Sequence, residues 1–147
     1  MKKFLLTLLA IVATVTVASA ARDKVSRDVT DLPKEAQITL SRHFPKAGVS
    51  HIKIEKHTFG GTEYDVILVN GTEVEFDSDG KWTEIDCGHN AVPAALIMKP
   101  IRDYVAKNYK GLNIVKISVE RSKYEVELSN GLDLDFSRSG EFLRIDD

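Results

Sequence analysis

The segment with the clearest potential for chemistry is Cys87-Gly88-His89, which places a thiol and an imidazole two positions apart. A nucleophilic thiol needs a base within hydrogen-bond reach and a third group that orients the base. No third group is evident near this segment, and closeness in a linker does not ensure the required geometry. Cys87 is the only cysteine, so an intramolecular disulfide is excluded, while an intermolecular one stays open.

Patterns that bind metals are weak in this sequence. The histidines lack the His-x-x-x-His spacing of zinc sites, and no Cys-x-x-Cys pair accompanies them. They are His43, His51, His57 and His89. Asp77-Ser78-Asp79-Gly80 resembles the opening of a calcium loop, but the later ligands and the terminal glutamate are missing. Because Ser137-Arg138-Ser139-Gly140 replaces both carboxylates in the equivalent place, we predict a shared turn there, with no metal and no cofactor.

Carboxylates at alternate positions, such as Glu73, Glu75 and Asp77, could in principle form the acid pair of a glycosidase. The same spacing is typical of the solvated face of a strand. No glycine-rich phosphate loop, serine elbow or dinucleotide fingerprint is present in the sequence. We therefore predict no catalytic residue and a protein that is not an enzyme.

The first twenty residues have the three parts of a secretory signal peptide. Lys2-Lys3 is the charged region, Phe4 to Val17 is the apolar region, and Ala18-Ser19-Ala20 is the cleavage site. A retained membrane anchor is the alternative, but the apolar run is shorter than the ~20 residues of a spanning helix. We predict cleavage after Ala20, a periplasmic or secreted bacterial protein, and no stable membrane insertion.

Charge also limits the partners of the exported chain. The formal net charge of −2 includes Lys2 and Lys3, so signal cleavage leaves about −4. A net negative chain has little to gain from counterion release, which argues against nucleic-acid binding. Residues 21–31 are polar, and we expect them to be a loose mature N-terminus.

The dominant feature of the chain is a stretch that occurs twice. Tyr64 to Phe76 returns sixty residues later as Tyr124 to Phe136, with Tyr, Val, Leu, Asn-Gly and Phe in matching places. Each copy has the alternation of a strand, a turn and a strand. The sequence predicts an α+β fold of two tandem repeats, 32–86 and 92–147, joined by a linker at 87–91. Each repeat has one helix and a four-stranded antiparallel sheet.

The helices open in the same way in both repeats. Leu32-Pro33 and Val92-Pro93 place proline in the first turn, where its missing N–H is tolerated. Pro45 ends the first helix. The second is predicted to be longer, with Pro100 either kinking it or splitting its first turn from the rest.

Asn-Gly commonly makes a two-residue hairpin turn, but that register would put the apolar residues of the two strands on opposite faces. A three-residue loop, Val69-Asn70-Gly71 or Ser129-Asn130-Gly131, keeps them on one face. We therefore predict the three-residue loop, with the helices covering the apolar face.

The opposite face then carries acidic residues in both repeats. They are Asp65, Glu73, Glu75, Glu125, Glu127, Asp133 and Asp135. Trp82 and Phe142 occupy matching places in the fourth strands. A three-residue turn before Trp82 would place it in the core, whereas a four-residue turn would place it on the acidic face. As a binding surface, this face would combine the carboxylates with aromatic anchors.

The ordered set of motifs resembles the PepSY-like, putative β-lactamase-inhibitor-like proteins exported by Gram-negative bacteria. The shared pattern is a hydrophobic residue and Pro, an aromatic near the helix end, Tyr-x-Val-x-Leu-x-Asn-Gly, Phe, a turn Gly and an aromatic. The pattern occurs twice, and its two copies together cover residues 32 to 146. The resemblance implies helix-on-sheet repeats like those of the β-lactamase inhibitor protein, and it offers inhibition of a β-lactamase or a peptidase as functional analogies.

These observations favour a non-enzymatic binding or inhibitor-like module that holds a protein with a basic surface on its open sheet face. One alternative is a small enzyme that uses Cys87 or the sheet carboxylates. Another is an envelope ligand carrier with its cargo between helix and sheet. The sequence does not identify the oligomeric state.

Overall fold

Residues 23–146 fold as an α+β protein with two α-helices and one nine-stranded antiparallel sheet. A computed structural model describes residues 23–146, so the predicted signal peptide at 1–20 lies outside the described residues. The helices are α1 Lys34–His43 and α2 Lys99–Asn108. The strands are β1 Lys24–Ser26, β2 Val49–His57, β3 Gly61–Leu68, β4 Glu73–Phe76, β5 Trp82–Asp86, β6 Ile114–Val119, β7 Lys123–Leu128, β8 Asp133–Ser137 and β9 Phe142–Asp146.

The strands lie side by side in the order in which they occur in the chain. Strands β5 and β6 pair directly, with Ile85 opposite Ile117, and so join the two halves of the sheet. The architecture is therefore one continuous sheet of nine strands, and not two separate sheets of four. Between residues 23 and 146, no helix is long and apolar enough to span a membrane.

The prediction of a loose segment at 21–31 is wrong for its described part. Strand β1 pairs with the edge of β2, with Val25 opposite Lys53, and a 3-10 turn follows at Val29–Asp31. The Asp31 carboxylate accepts hydrogen bonds from Lys24 Nζ and Ser26 Oγ. The polar composition of this segment does not indicate a strand, because main-chain pairing and local side-chain hydrogen bonds hold the segment in place.

The helices have equal length, so the prediction of a longer second helix is also wrong. Each is ten residues long. A separate 3-10 turn, Ala94–Leu96, precedes α2, and Pro100 lies in the first turn of that helix. Proline lacks a donor and clashes with the carbonyl four residues earlier, so the helical pattern splits at this point.

The predicted hairpin register is confirmed in both copies. Tyr64 pairs with Phe76 and Tyr124 pairs with Phe136. The N–H of Gly71 donates to the Leu68 carbonyl at 2.9 Å, and Gly131 closes the second loop in the same way. Both glycines have a positive φ, +85° and +82°, which a residue without Cβ adopts at little cost.

The core lies between the two helices and one face of the sheet. Ala36 and Leu40 of α1 and Ile101 and Val105 of α2 are buried in one apolar cluster with the inward strand residues. Burial of this face against the helices is the main source of stability. The opposite side, which we call the outer face, is covered by none of the described helices.

Candidate functional site on the outer face of the sheet

Strand pairing aligns the side chains of the outer face in two rows that cross the sheet. The first row is Val25, Lys53, Asp65, Glu75, Glu84, Ser118, Glu125, Asp135 and Arg144. The second row is His51, Ile67, Glu73, Asp86, Lys116, Glu127, Asp133 and Asp146. Every acidic residue that the sequence predicted for this face lies in one of these rows.

Three carboxylates converge on strands β3 and β4. Glu63 and Asp65 are two positions apart on β3, and Glu75 lies opposite Asp65 on β4. One oxygen from each of them can be chosen so that all three lie within 4.8 Å of one another. We call Glu63, Asp65 and Glu75 the first cluster. Glu84 of β5 adjoins it as the cross-strand partner of Glu75.

The first cluster is crowded with negative charge. Burial, followed by repulsion from Glu84, Asp65 and Glu63, raises the pKa of Glu75 to about 7. Burial and then the Glu63 charge also raise the pKa of Asp65. The Oδ1 atom of Asp65 is buried and has no hydrogen-bond partner between residues 23 and 146. Asp65 and Glu75 therefore lack the ion-pair partners that normally offset desolvation, whereas Glu63 contacts His57 Nε2 at 3.2 Å.

The nearby cations are engaged by other carboxylates. Lys53, opposite Asp65, forms its ion pair with Glu55. Lys116 lies 2.8 Å from Glu84. Within the described part of the chain, neither Asp65 nor Glu75 forms a salt bridge. The first cluster consequently keeps a net negative charge.

The second half of the outer face carries its own cations. Lys123 Nζ lies 2.9 Å from Asp135 and 3.2 Å from Glu125, and Arg144 Nε lies 2.9 Å from Asp135. Burial alone would raise the pKa of Asp135, but the hydrogen bonds from Lys123 and Arg144 outweigh it and lower the pKa. Asp135 is only 1% exposed, so its role is structural. We call Glu125, Asp135 and Asp146 the second cluster.

The remaining predicted carboxylates lie in the second row. Glu73 is exposed, and Glu127 and Asp133 are half-buried. Burial, together with the charges of Glu125 and Asp146, raises the pKa of Asp133. In this row Lys116 of β6 separates Glu127 and Asp133 from Glu73 of β4 and Asp86 of β5.

The expectation that aromatics stand among the outer carboxylates is wrong. Trp82 pairs with Phe76 and packs on the core side of the sheet. Phe142 stacks on Tyr104 of α2 with ring centroids 4.5 Å apart. The register shifts by one residue at this point, because Thr83 of β5 and Leu143 of β9 are extra residues that have no cross-strand partner. Each aromatic therefore pairs with an inward-facing phenylalanine and turns toward the helices.

Trp82 instead lines a shallow cleft beside α1. The cleft also contains Glu35 of that helix and Tyr124 of β7. The guanidinium of Arg138 lies 4.8 Å from the centre of the Tyr124 ring. Trp82 is thus partly exposed, but on the side of the sheet away from the acidic rows.

The other candidates from the sequence have structural roles. Cys87 is 6% exposed, and burial raises the pKa of its thiol, so it is a poor nucleophile. Within residues 23–146, no hydrogen bond joins it to His89. The Asp77 carboxylate accepts hydrogen bonds from the N–H groups of Asp79 and Lys81, each at 2.9 Å, and so closes the turn that resembles a calcium loop.

Sequence reasoning missed Glu63, Glu84, Lys123 and Arg144 on the outer face. The sequence pattern places the start of the first hairpin at Tyr64 and that of the second at Tyr124. Glu63 and Lys123 each lie one residue before these starts, so the pattern does not include them. Extending the alternation one step back would have found both. It would also have shown that the two hairpins carry opposite charges at this position.

Comparison with known proteins identifies the family. Residues 62–144 match the sequence model of one protein family. That family is described as "putative beta-lactamase-inhibitor-like, PepSY-like". This chain belongs to that family. None of the curated proteins compared with this PepSY-like chain matches it.

Solved structures of close relatives have the same fold. A Bacteroides vulgatus protein described as a putative periplasmic protein of unknown function is 45% identical, with a TM-score of 0.82 over 86% of this chain and 100% of its own. A second from that species, also described as a putative periplasmic protein, is 40% identical, with a TM-score of 0.81 over 87% and 99%. A Bacteroides thetaiotaomicron protein, described as putative calcium-regulated and periplasmic, is 38% identical, with a TM-score of 0.80 over 85% and 97%.

Proposed function

We propose that this PepSY-like protein is a periplasmic, inhibitor-like binding module that holds a protein with a basic surface on its outer face. The observation that carries the proposal is the uncovered first cluster, in which Asp65 and Glu75 have no salt-bridge partner among the described residues. The signal-like sequence at 1–20 and the periplasmic descriptions of two relatives support the location.

Electrostatics explains why a basic partner suits this surface. Burial and then repulsion from neighbouring carboxylates raise the pKa of Glu75, and the approach of a partner's lysine or arginine relieves this repulsion. With Trp82 and Phe142 on the helix side, charge complementarity contributes more to selectivity and association rate than aromatic anchors do. Binding should weaken as the salt concentration rises.

The module is proposed to bind without catalysis. The Cys87 thiol is buried and its pKa is raised, which disfavours nucleophilic attack. A carboxyl group such as Glu75, with a pKa near 7, is suited to proton transfer, but Glu75 lies on the open face of a sheet. Enzymes usually place such a group in a concave pocket.

We propose that the outer face is wide because a module of one helix and four strands was duplicated. Each ten-residue helix is followed by four consecutive strands, and both central hairpins have the same register. Gly80 and Gly140 lie in matching turns, and each is close to a proline at the start of a helix, Pro33 just before α1 and Pro100 in the first turn of α2. This arrangement resembles the tandem repeats of the β-lactamase inhibitor protein.

Carbodiimide cross-linking of the purified protein in periplasmic extract would test the binding function. The reagent joins a carboxylate to a contacting lysine, so mass spectrometry can locate each cross-link. We expect cross-links to Glu73 and Glu75, and we expect them to decrease with salt. Glu73→Gln combined with Glu75→Gln should abolish capture of the partner.

Asp103→Asn is the matched control, because Asp103 is an exposed carboxylate on α2, on the helix side. It should leave capture unchanged. Equal capture by the double variant, or cross-links distributed evenly over both sides of the protein, would contradict the proposed docking face.

Calcium regulation is a second candidate function. A relative 38% identical to this chain is described as putative calcium-regulated. The first cluster fits a hard cation, because its ligand atoms are carboxylate oxygens and the buried Asp65 Oδ1 has no partner in the described chain. Capture of the partner would then differ between calcium-containing and chelator-treated buffer.

A further inference from the structure

Two adjoining clefts lie at the C-terminal end of α1, away from the outer face. Their volumes are about 480 and 500 Å³, within the usual range of small-molecule sites. Both are lined by Phe44, Pro45, Ala47 and Gly48, so they form one continuous groove, which we call the α1 groove. None of its lining residues belongs to the two rows of the outer face.

Aliphatic side chains line the α1 groove in both clefts. Val69, which lines one cleft, is 73% exposed, and Val29, which lines the other, is 39% exposed. Ile38 of α1 is half-buried beside them. Phe44 and Val49 form part of the wall and also pack against the core. A ligand that covers these side chains removes apolar surface from water, which favours binding in proportion to the area buried.

The rim of the α1 groove is basic. Lys34 lines one cleft and Lys46 the other, and within the described residues neither forms a salt bridge. His43 adds an imidazole that gains positive charge when it is protonated. The chain has 22 acidic residues, yet none of the described residues that line the groove is acidic. The groove therefore suits a ligand with an aliphatic body and an anionic end.

The second half of the chain has a polar residue where α1 contributes Ile38. Gln37 Nε2 donates to the Leu32 carbonyl, and Arg102 Nε donates to the Ile97 carbonyl in the same way, so the two helices correspond residue by residue. Ile38 therefore corresponds to Asp103, which forms an ion pair with Lys99.

The hairpin loops differ in the same sense. The Val69 N–H donates to the Gly48 carbonyl and the Ser129 N–H donates to the Asn113 carbonyl, each at 2.8 Å, so Val69 corresponds to Ser129. Ser129 Oγ accepts a hydrogen bond from the Asn113 N–H at 3.2 Å. The same backbone thus forms with polar residues that bond to one another, and the fold does not require the exposed aliphatic side chains of the α1 groove.

We infer that the α1 groove binds a free fatty acid, with its alkyl chain against Ile38, Phe44 and Val69 and its carboxylate at the basic rim. The site is separate from the outer face and does not depend on the protein partner proposed for that face. A myristoyl chain binds a bilayer with an association constant of about 10⁴ M⁻¹. An open groove that covers part of a similar chain and also attracts its charge predicts a Kd of about 10⁻⁴ M.

Calorimetric titration of the purified protein with sodium dodecanoate, kept below its micelle concentration, tests the inference. We expect one saturable site per chain. From octanoate to dodecanoate, affinity should rise about two- to fourfold for each added methylene, because full burial of one methylene corresponds to about fourfold. The amide NMR signals of Gly48 and Val69 should shift on binding, whereas those of Glu75 on the outer face should not.

Ile38→Asp combined with Val69→Ser introduces the residues of the second half of the chain. This double variant should weaken dodecanoate binding by more than about tenfold, because it removes apolar contact and adds a negative charge. Val25→Ser is the matched control, since Val25 is a comparably exposed valine on β1, and it should leave the affinity unchanged.

A second pair of variants tests the charge of the rim. Lys34→Gln combined with Lys46→Gln should weaken dodecanoate binding about threefold, as expected for exposed ion pairs. Lys107→Gln, which removes an exposed lysine from the last turn of α2, should have no effect.

Absence of saturable binding, or unshifted Gly48 and Val69 signals in the unmodified protein, would overturn the inference whether or not any variant folds. Equal affinity in either double variant would also overturn it. Sedimentation with phosphatidylglycerol vesicles but no binding of dodecanoate would assign the groove to a membrane surface instead. Capture of a protein on the outer face can succeed or fail independently of all these results.

Discussion

Glu63 and Lys123 occupy the same position of the two central hairpins and carry opposite charges. Each precedes the tyrosine that pairs with a buried phenylalanine, Phe76 or Phe136. Lys123 lies 2.9 Å from Asp135, whereas Glu63 adds a third carboxylate beside Asp65 and Glu75. Lys123 thus pairs with the carboxylates of the second hairpin, whereas among the described residues no lysine or arginine forms a salt bridge with Asp65 or Glu75.

Asp135→Asn should destabilise the protein, because it removes the charge that accepts hydrogen bonds from Lys123 and Arg144. Loss of charge-assisted hydrogen bonds of this kind costs about 2 kcal/mol of the free energy of unfolding at pH 7. The folded-state pKa of Asp135 is lowered, so its contribution is present above its unfolded pKa and is lost as the pH falls through the folded value. Urea unfolding at several pH values measures both effects.

Asp133→Asn is the control on the same strand and the same face. The pKa of Asp133 is raised, so removing its charge should leave stability at pH 7 unchanged or slightly higher. Equal losses in the two variants would contradict the assignment of Lys123 and Arg144 to Asp135.

Glu75→Gln should stabilise the metal-free protein at pH 8 and have little effect at pH 4. The folded-state pKa of Glu75 is raised to about 7 from an ordinary 4.5, so the folded chain holds the proton more tightly than the unfolded chain does. Stability of the unmodified protein therefore falls as the pH rises between those two values, and the variant should lose this slope. Thermal unfolding in chelator from pH 4 to 8 gives the comparison, and an unchanged slope would contradict it.

Gly80→Ala should be more disruptive than Gly71→Ala. Both glycines have a positive φ, but a Cβ at Gly80 would lie 2.8 Å from Pro33 Cβ and 2.9 Å from the Ala36 nitrogen, while none of the described atoms lies within 4 Å at Gly71. We expect a loss of roughly 3 kcal/mol at Gly80 and about 1 kcal/mol at Gly71. Denaturant unfolding measures the difference, which reports how closely α1 packs on the turn.

Phe142→Ala should lower stability without changing binding on the outer face. The Phe142 ring stacks on Tyr104 and meets Phe136 edge-on at 5.9 Å. Because the ring is only partly buried, we expect a loss of about 2 kcal/mol in the free energy of unfolding. Calcium affinity and cross-linking should match those of the unmodified protein. A selective loss of either would show that Phe142 contributes to the docking surface.

Local patterns were sufficient for much of the fold. The three-residue loops followed from the need to keep Val66 and Val74 on one side of the hairpin, because a shift of one residue reverses every side chain. The acidic composition of the outer face followed from the same alternation. Local patterns did not predict that β1 pairs with β2. Strand β1 has mostly exposed residues and is held by main-chain hydrogen bonds to β2, so it lacks an apolar alternation.

The sequence by itself determined the hairpins, the α+β class, the family and the face on which the carboxylates lie, because each depends on neighbours along the chain. Only the tertiary structure decided that the halves share one sheet and that Trp82 and Phe142 face the helices. It also decided which carboxylates have cations within reach. Ion pairs such as Lys123 with Asp135 join residues on separate strands, and their distances depend on the register of the whole sheet.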